Sequence, residues 1–106
     1  MKVTQRDLEA AVERLNRLTG HQLAPYTKLD NGKHVPNAGN YHLDYAYSGV
    51  KLVQMCDEGT GIKNVLSMGY ETKKNCYNAI HSYIKGIEDC ILQEKRLDEV
   101  IKGIVG

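Results

Sequence analysis

The stretch at 39–55, GNYHLDYAYSGVKLVQM, restricts this chain more than any other part of it. Side chains that alternate in character suit an extended ribbon, because successive positions on a strand face opposite sides. Tyr41, Leu43 and Tyr45 fall on one face, with His42 and Asp44 on the other. After a break at Ser48-Gly49, Val50, Leu52 and Gln54 alternate with Lys51, Val53 and Met55. This pattern predicts a β-hairpin turned at 46–49, with Gly49 supplying the positive φ that such turns require.

The flanks read as helix, turns and helix. Over 4–19, Leu8, Ala11, Val12, Leu15 and Leu18 recur at three- and four-residue spacing. Thr4 and Asp7 make a capping-box pair at one end, and Gly20 stands where a left-handed cap belongs at the other. From 21 to 38 the signals are turns, with Asp30-Asn31-Gly32 between two short candidate arms, at 23–29 and 33–35; a surface loop with one tight turn is the alternative. A loop at 57–61 leads to a candidate strand at 62–68 closed by Gly69. A second helix opens at Glu71-Thr72 with Cys76, Tyr77, Ile80, Tyr83 and Ile84 on its apolar face. Gly86 costs a helix about 1 kcal/mol relative to alanine, so the chain either bends there or starts a third helix. Beyond it, Ile87, Cys90, Ile91, Leu97, Ile101 and Ile104 form a stripe beside charged residues. A stripe at the end of a small domain has little core to cover. Ile87, Ile91, Leu97 and Ile101 are therefore the expected oligomerisation residues.

The fold expected is α+β in one domain over 1–106: an N-terminal helix, an antiparallel sheet of three to five strands built on the central hairpin, and a C-terminal helix or helix pair. Residues 1–86 form the core of this scheme and 87–106 a helical extension.

Phe and Trp are absent, so the aromatic surface rests on seven tyrosines. Each buried phenol needs a hydrogen-bond partner, which favours half-exposed positions at an interface. With 14 basic and 13 acidic residues the net charge is +1. That balance argues against a dedicated duplex-binding protein, and equally against an acidic nucleic-acid mimic. Cys56, Cys76 and Cys90 stand in no CxxC spacing, which reads as reduced thiols in a cytosolic setting. With no apolar leader region and no membrane-spanning run, a soluble cytoplasmic protein is expected.

Candidate chemistry is sparse. His21, His34, His42 and His81 share no metal-ligand spacing, so neither a metal nor a cofactor is expected. His42 and Asp44 at i,i+2 form a possible acid–base pair, or else a polar pair on a solvent-facing strand. Cys76 lies near Lys73 and Lys74, yet His81 stands at a poor helical angle for a base; core cysteine is the better reading for all three thiols. Gly59-Thr60-Gly61 resembles an anion nest, but Asp57 and Glu58 would repel a phosphate, and an ordinary strand connection is the alternative. The tyrosines of the hairpin offer more. Tyr41, Tyr45 and Tyr47, with His42 and Lys51, supply flat faces for stacking on a base and a cation for phosphate. The competing reading is one wall of a sheet packed on helices, and a compromise packs Tyr41 and Tyr45 while leaving Tyr47 exposed. Binding rather than turnover is expected, and no catalytic residue is assigned.

Two segments carry a resemblance. Arg14-Leu15-Asn16-Arg17-Leu18-Thr19-Gly20, and Gly39-Asn40-Tyr41-His42-Leu43-Asp44 followed by Ala46-Tyr47-Ser48-Gly49 and Leu52, resemble a group of small uncharacterised proteins encoded by tailed phages and prophages. The similarity runs from the first helix to Ile84 and leaves the part after Gly86 outside it. It implies a viral accessory protein that evades host immunity in the cytoplasm of an infected bacterium. The favoured route is a homo-oligomeric sponge that holds a nucleotide-type immune signal, because a balanced charge and a tyrosine-lined hairpin do not look like nucleic-acid mimicry. Another is an anti-CRISPR-like inhibitor that covers a host defence protein. A small nucleotide-processing enzyme or a DNA-binding regulator are further alternatives.

Overall fold

Helix α1, Gln5–Thr19, forms where its caps dictate. The Thr4 hydroxyl accepts from the Asp7 amide at 3.2 Å, and the Asp7 carboxylate accepts from the Thr4 amide at 2.9 Å. Those two bonds hold the Asp7 carboxyl below its ordinary range. Gly20 ends the helix in the left-handed region, at φ 74°. The computed structural model describes residues 2–56, 61–66 and 69–105. The 57–60 part of the glycine loop, residues 67–68 of the expected strand and the side chain of Ile104 lie outside the described residues, and the strand expected over 62–68 ends at Asn64, with Val65 and Leu66 in a bend.

Strands β1, Tyr26–Lys28, and β2, His34–Pro36, pair antiparallel across the Asp30-Asn31-Gly32 turn as a separate, largely exposed two-stranded sheet. The other sheet has the order β3, Tyr41–Ala46; β4, Gly49–Met55; β5, Ile62–Asn64, antiparallel throughout. The strands thus divide into sheets of two and three rather than sharing one. Glu71 adds an isolated bridge to Val50 just before the second helix.

That helix, α2, is continuous over Lys73–Val105. Thr72 caps it, accepting from the Asn75 amide at 3.1 Å. Gly86 does not divide it. Thirty-three residues of helix measure about 50 Å, which accounts for the 54 Å long axis of the molecule. Only the first half of α2 is covered.

The chain is an α+β protein whose core lies between one face of the β3–β4–β5 sheet and the two helices. Leu8, Val12 and Leu15 of α1 meet Cys76, Ile80 and Ile84 of α2 over Tyr41, Val50 and Leu52. Full burial of each Leu, Ile or Val contributes about 1.5–3 kcal/mol. Ile87 still packs on this cluster, and Ile91 is half-buried, whereas Leu92, Leu97, Val100 and Ile101 are exposed. The expected oligomerisation stripe therefore splits: Ile87 and Ile91 cover the chain's own body, and Leu97 and Ile101 stand clear of it. Among the described residues, no helix is long and apolar enough to cross a membrane.

Candidate functional site

The hairpin turn sets the geometry of the site. Ala46 pairs with Gly49 across Tyr47 and Ser48, which both occupy the left-handed region, at φ 51° and 58°. This is a two-residue turn of type I′ character. The sequence reading put the positive φ at Gly49, and the structure corrects it. Gly49 is needed for a different reason: a Cβ there would lie 3.0 Å from the Tyr70 Cβ and 3.1 Å from the Glu71 carbonyl oxygen. Glycine lets the 70–71 segment close on β4.

A two-residue turn makes Ala46 and Gly49 a hydrogen-bonded pair, so Asp44–Lys51 and His42–Val53 are bonded pairs as well. The odd-numbered residues of β3 then direct their N–H and C=O groups away from β4. The same parity on β4 turns Val50 to Glu71 and Leu52 to Val65, to which they are hydrogen-bonded. On β3 the outward groups of Tyr41 are taken by Asn16, whose Nδ2 donates to the Tyr41 carbonyl at 2.9 Å and whose Oδ1 accepts from its amide at 2.8 Å. Asn16 is wholly buried. Among the described residues, no hydrogen bond from beyond the β3–β4 ladder reaches the main chain of Leu43 or Tyr45.

These open groups border a cleft of about 370 Å³ between α1 and the edge of β3. Helix α1 runs antiparallel to the strand, with Asn16 beside Tyr41 and Glu9 near Tyr45. Glu9, Glu13, Leu23, His42, Leu43 and Tyr45 line the cleft, and among the described residues no Lys or Arg does. Glu13 is paired with Arg17 at 2.8 Å, whereas among the described residues Glu9 accepts only the neutral Gln5 side-chain amide, at 3.0 Å. Burial, the Glu9 carboxylate and Cys76 push the Tyr45 phenol up from its ordinary value.

The five expected ligand-binding residues divide between this cleft and a second surface. Tyr41 is sealed in the core, 5% exposed, with its hydroxyl 3.2 Å from that of Tyr83 and its ring edge-on to His21 and Tyr83. Burial, then that bond, raises its phenol far above the ordinary value. Tyr45 is 45% exposed at the rim of the cleft. His42 faces the cleft half-buried; burial lowers its pKa, and its Nδ1 lies 3.2 Å from the Asn40 carboxamide oxygen. Asp44 instead accepts from the Tyr70 hydroxyl, so the acid–base alternative for His42 and Asp44 has no hydrogen bond between the two. That bond raises the Tyr70 phenol above its ordinary value.

Tyr47 and Lys51 gather around Tyr70. The Lys51 ammonium lies 4.5 Å from the Tyr70 ring centroid, and the Tyr47 and Tyr70 rings meet edge-on at 5.4 Å. Tyr47 is 91% exposed.

All three cysteines are free thiols. Cys76 is buried, and burial with the nearby Glu71 raises its pKa, away from the thiolate a nucleophile needs. Cys90 is exposed, which corrects its placement in the core, because it lies to the side of the Ile84, Ile87 and Ile91 row that α2 turns towards the body. No cluster of three or more His, Cys, Asp or Glu fit to hold a metal ion occurs among the described residues.

Sequence reasoning passed over Asn16, Tyr70 and Glu9. For Asn16 a signal existed: with Leu8 and Val12 it forms an i,i+4 row, a lone amide inside an apolar stripe. Tyr70 and Glu9 carry no local signal, since each acquires its role from a neighbour distant in the chain. Compared with protein-family models, with curated proteins and with solved structures, the chain matches none of them.

Proposed function

We propose that this protein acts by binding, as a viral accessory factor of the kind its sequence resembles, and that it covers a defence protein in the cytoplasm of an infected bacterium. The observation that carries this reading is the α1–β3 cleft, which joins open main-chain donors and acceptors to carboxylates and, among the described residues, is lined by no Lys or Arg. Such a lining suits a polypeptide and repels the phosphates of a nucleotide. Self-association through the uncovered half of α2 belongs to the same reading. A helix of little more than a dozen residues is marginal in water unless its apolar face is covered.

A second reading, sequestration of a nucleotide signal, draws support from Tyr47, which is 91% exposed beside Lys51 and Tyr70. Calorimetry of the purified protein with cyclic di- and trinucleotides and cyclic ADP-ribose isomers separates the two. The first reading expects no heat, together with stoichiometric co-purification of one host protein from infected cells. Saturable heat lost in Tyr47→Ser would replace it with the second.

A further inference from the structure

We infer that the α1–β3 cleft takes an extended peptide segment of a partner protein, added as a short strand along the open edge of β3, with a Lys or Arg side chain directed at Glu9. The inference rests on the protein-binding reading and names the chemistry of the partner.

Three observations carry it. The parity of the hairpin leaves four main-chain groups, the N–H and C=O of Leu43 and Tyr45, facing the cleft, and an added strand pairs with groups of this kind. The edge is closed at one end only. Asn16 occupies the groups of Tyr41 as a strand residue would, so a guest strand is stopped there and held in one register. The remaining open stretch is short, so main-chain bonds alone supply little selectivity and the side chains of the guest must provide it.

Charge then selects the guest. Glu9 lies in the lining without a cationic partner among the described residues, while Glu13 holds Arg17. His42, the one imidazole in the lining among the described residues, is held towards its neutral form by burial and offers no positive charge near neutral pH. A basic side chain reaching over the rim meets Glu9 and the face of Tyr45 together, an ion pair and a cation–π contact in one position. Leu23 and Leu43 supply apolar walls for an aliphatic neighbour in the guest.

The test is selection of random nonapeptides displayed on phage against the full-length protein, followed by titration of the enriched peptides as synthetic, acetylated and amidated chains. Enrichment of a basic residue flanked by β-branched residues is expected, with slowed exchange of the Leu43 and Tyr45 amides on binding. Glu9→Lys should weaken the peptide by about ten-fold or more, because it places like charges together. Tyr45→Pro should weaken it further than Tyr45→Ala. Proline removes an N–H that points away from β4, so the ladder tolerates it, and the circular dichroism spectrum checks that the fold survives.

Enriched peptides that are acidic, or that leave the Leu43 and Tyr45 amides unprotected, overturn the inference while leaving a protein-binding surface elsewhere intact. Concentration-dependent protection of those amides in the free protein also overturns it, because a second copy of β3 would then occupy the edge. Failure to enrich any peptide, combined with saturable nucleotide heat, removes both the inference and the reading on which it rests.

Discussion

Asn16 of α1 closes on both main-chain groups of Tyr41 in β3, donating at 2.9 Å and accepting at 2.8 Å. One carboxamide thereby joins the first helix to the edge of the sheet. Asn16→Ala leaves a buried N–H and a buried C=O without partners, and each unsatisfied group costs about 1–3 kcal/mol. The variant should lose about 3 kcal/mol, read from urea unfolding. Asn16→Asp keeps the acceptor but turns an oxygen towards the Tyr41 carbonyl, and it should be no more stable than the alanine variant. A loss under about 0.5 kcal/mol, the range of ordinary surface changes, would show that the bonds do not anchor the helix.

Ser48 occupies the left-handed region at φ 58°. A residue with a Cβ pays about 1 kcal/mol there relative to glycine. Ser48→Gly should raise the unfolding free energy by roughly that amount, whereas Gly49→Ala, which drives a methyl against the 70–71 segment, should lower it. The two neighbouring substitutions are expected to have opposite signs in thermal unfolding.

Gly86 lies inside α2 with nothing within 4 Å of the position its Cβ would take. Gly86→Ala should therefore stabilise the protein by about 1 kcal/mol and raise the helical circular dichroism signal.

The covered and uncovered halves of α2 should respond differently. Leu97→Asp combined with Ile101→Asp touches only exposed positions, so the body should keep its urea midpoint while the mass from light scattering falls to that of one chain. A protein already monomeric before substitution would refute assembly through this helix.

Burial lowers the pKa of His42 from its ordinary 6.5, with Asp44 opposing. The unfolded chain therefore takes up a proton at a higher pH than the folded one. Stability is complete above about 6.5 and declines as pH falls from there to the folded pKa. Urea midpoints measured from pH 8 to 5 should show this decline, and His42→Asn should reduce it. An identical decline in the variant would move the cause to another group.

The first helix was legible from Thr4, Asp7, the apolar row and Gly20, because capping and helical periodicity are properties of neighbours in the chain. The hairpin was legible for the same reason: alternation at 41–45 and 50–55 sets faces and register once a tight turn joins them. Its backbone was less so. The two-residue turn puts the positive φ on Tyr47 and Ser48, and Gly49 is required instead by the approach of Tyr70 and Glu71, a contact between distant segments. The continuity of α2 through Gly86 was open from propensity alone, as a cost of about 1 kcal/mol is small beside the packing of Ile80, Ile84 and Ile87 on α1.

The candidate site was legible only in part. The compromise that packs Tyr41 and leaves Tyr47 exposed at the turn holds, with Tyr41 sealed beneath Tyr83 and His21 and Tyr47 in solvent, but Tyr45 stands half-exposed at the rim of the cleft instead of packed. By itself, the order of residues determined the elements, their capped ends and the faces of the central hairpin, all of which depend on interactions a few positions apart. Tertiary structure alone decided which edge of the sheet stayed open, that Asn16 closes one end of it, and that Glu9 faces Tyr45. Those three facts depend on where α1 lies against β3, and burial of a shared apolar core sets that position rather than any local signal.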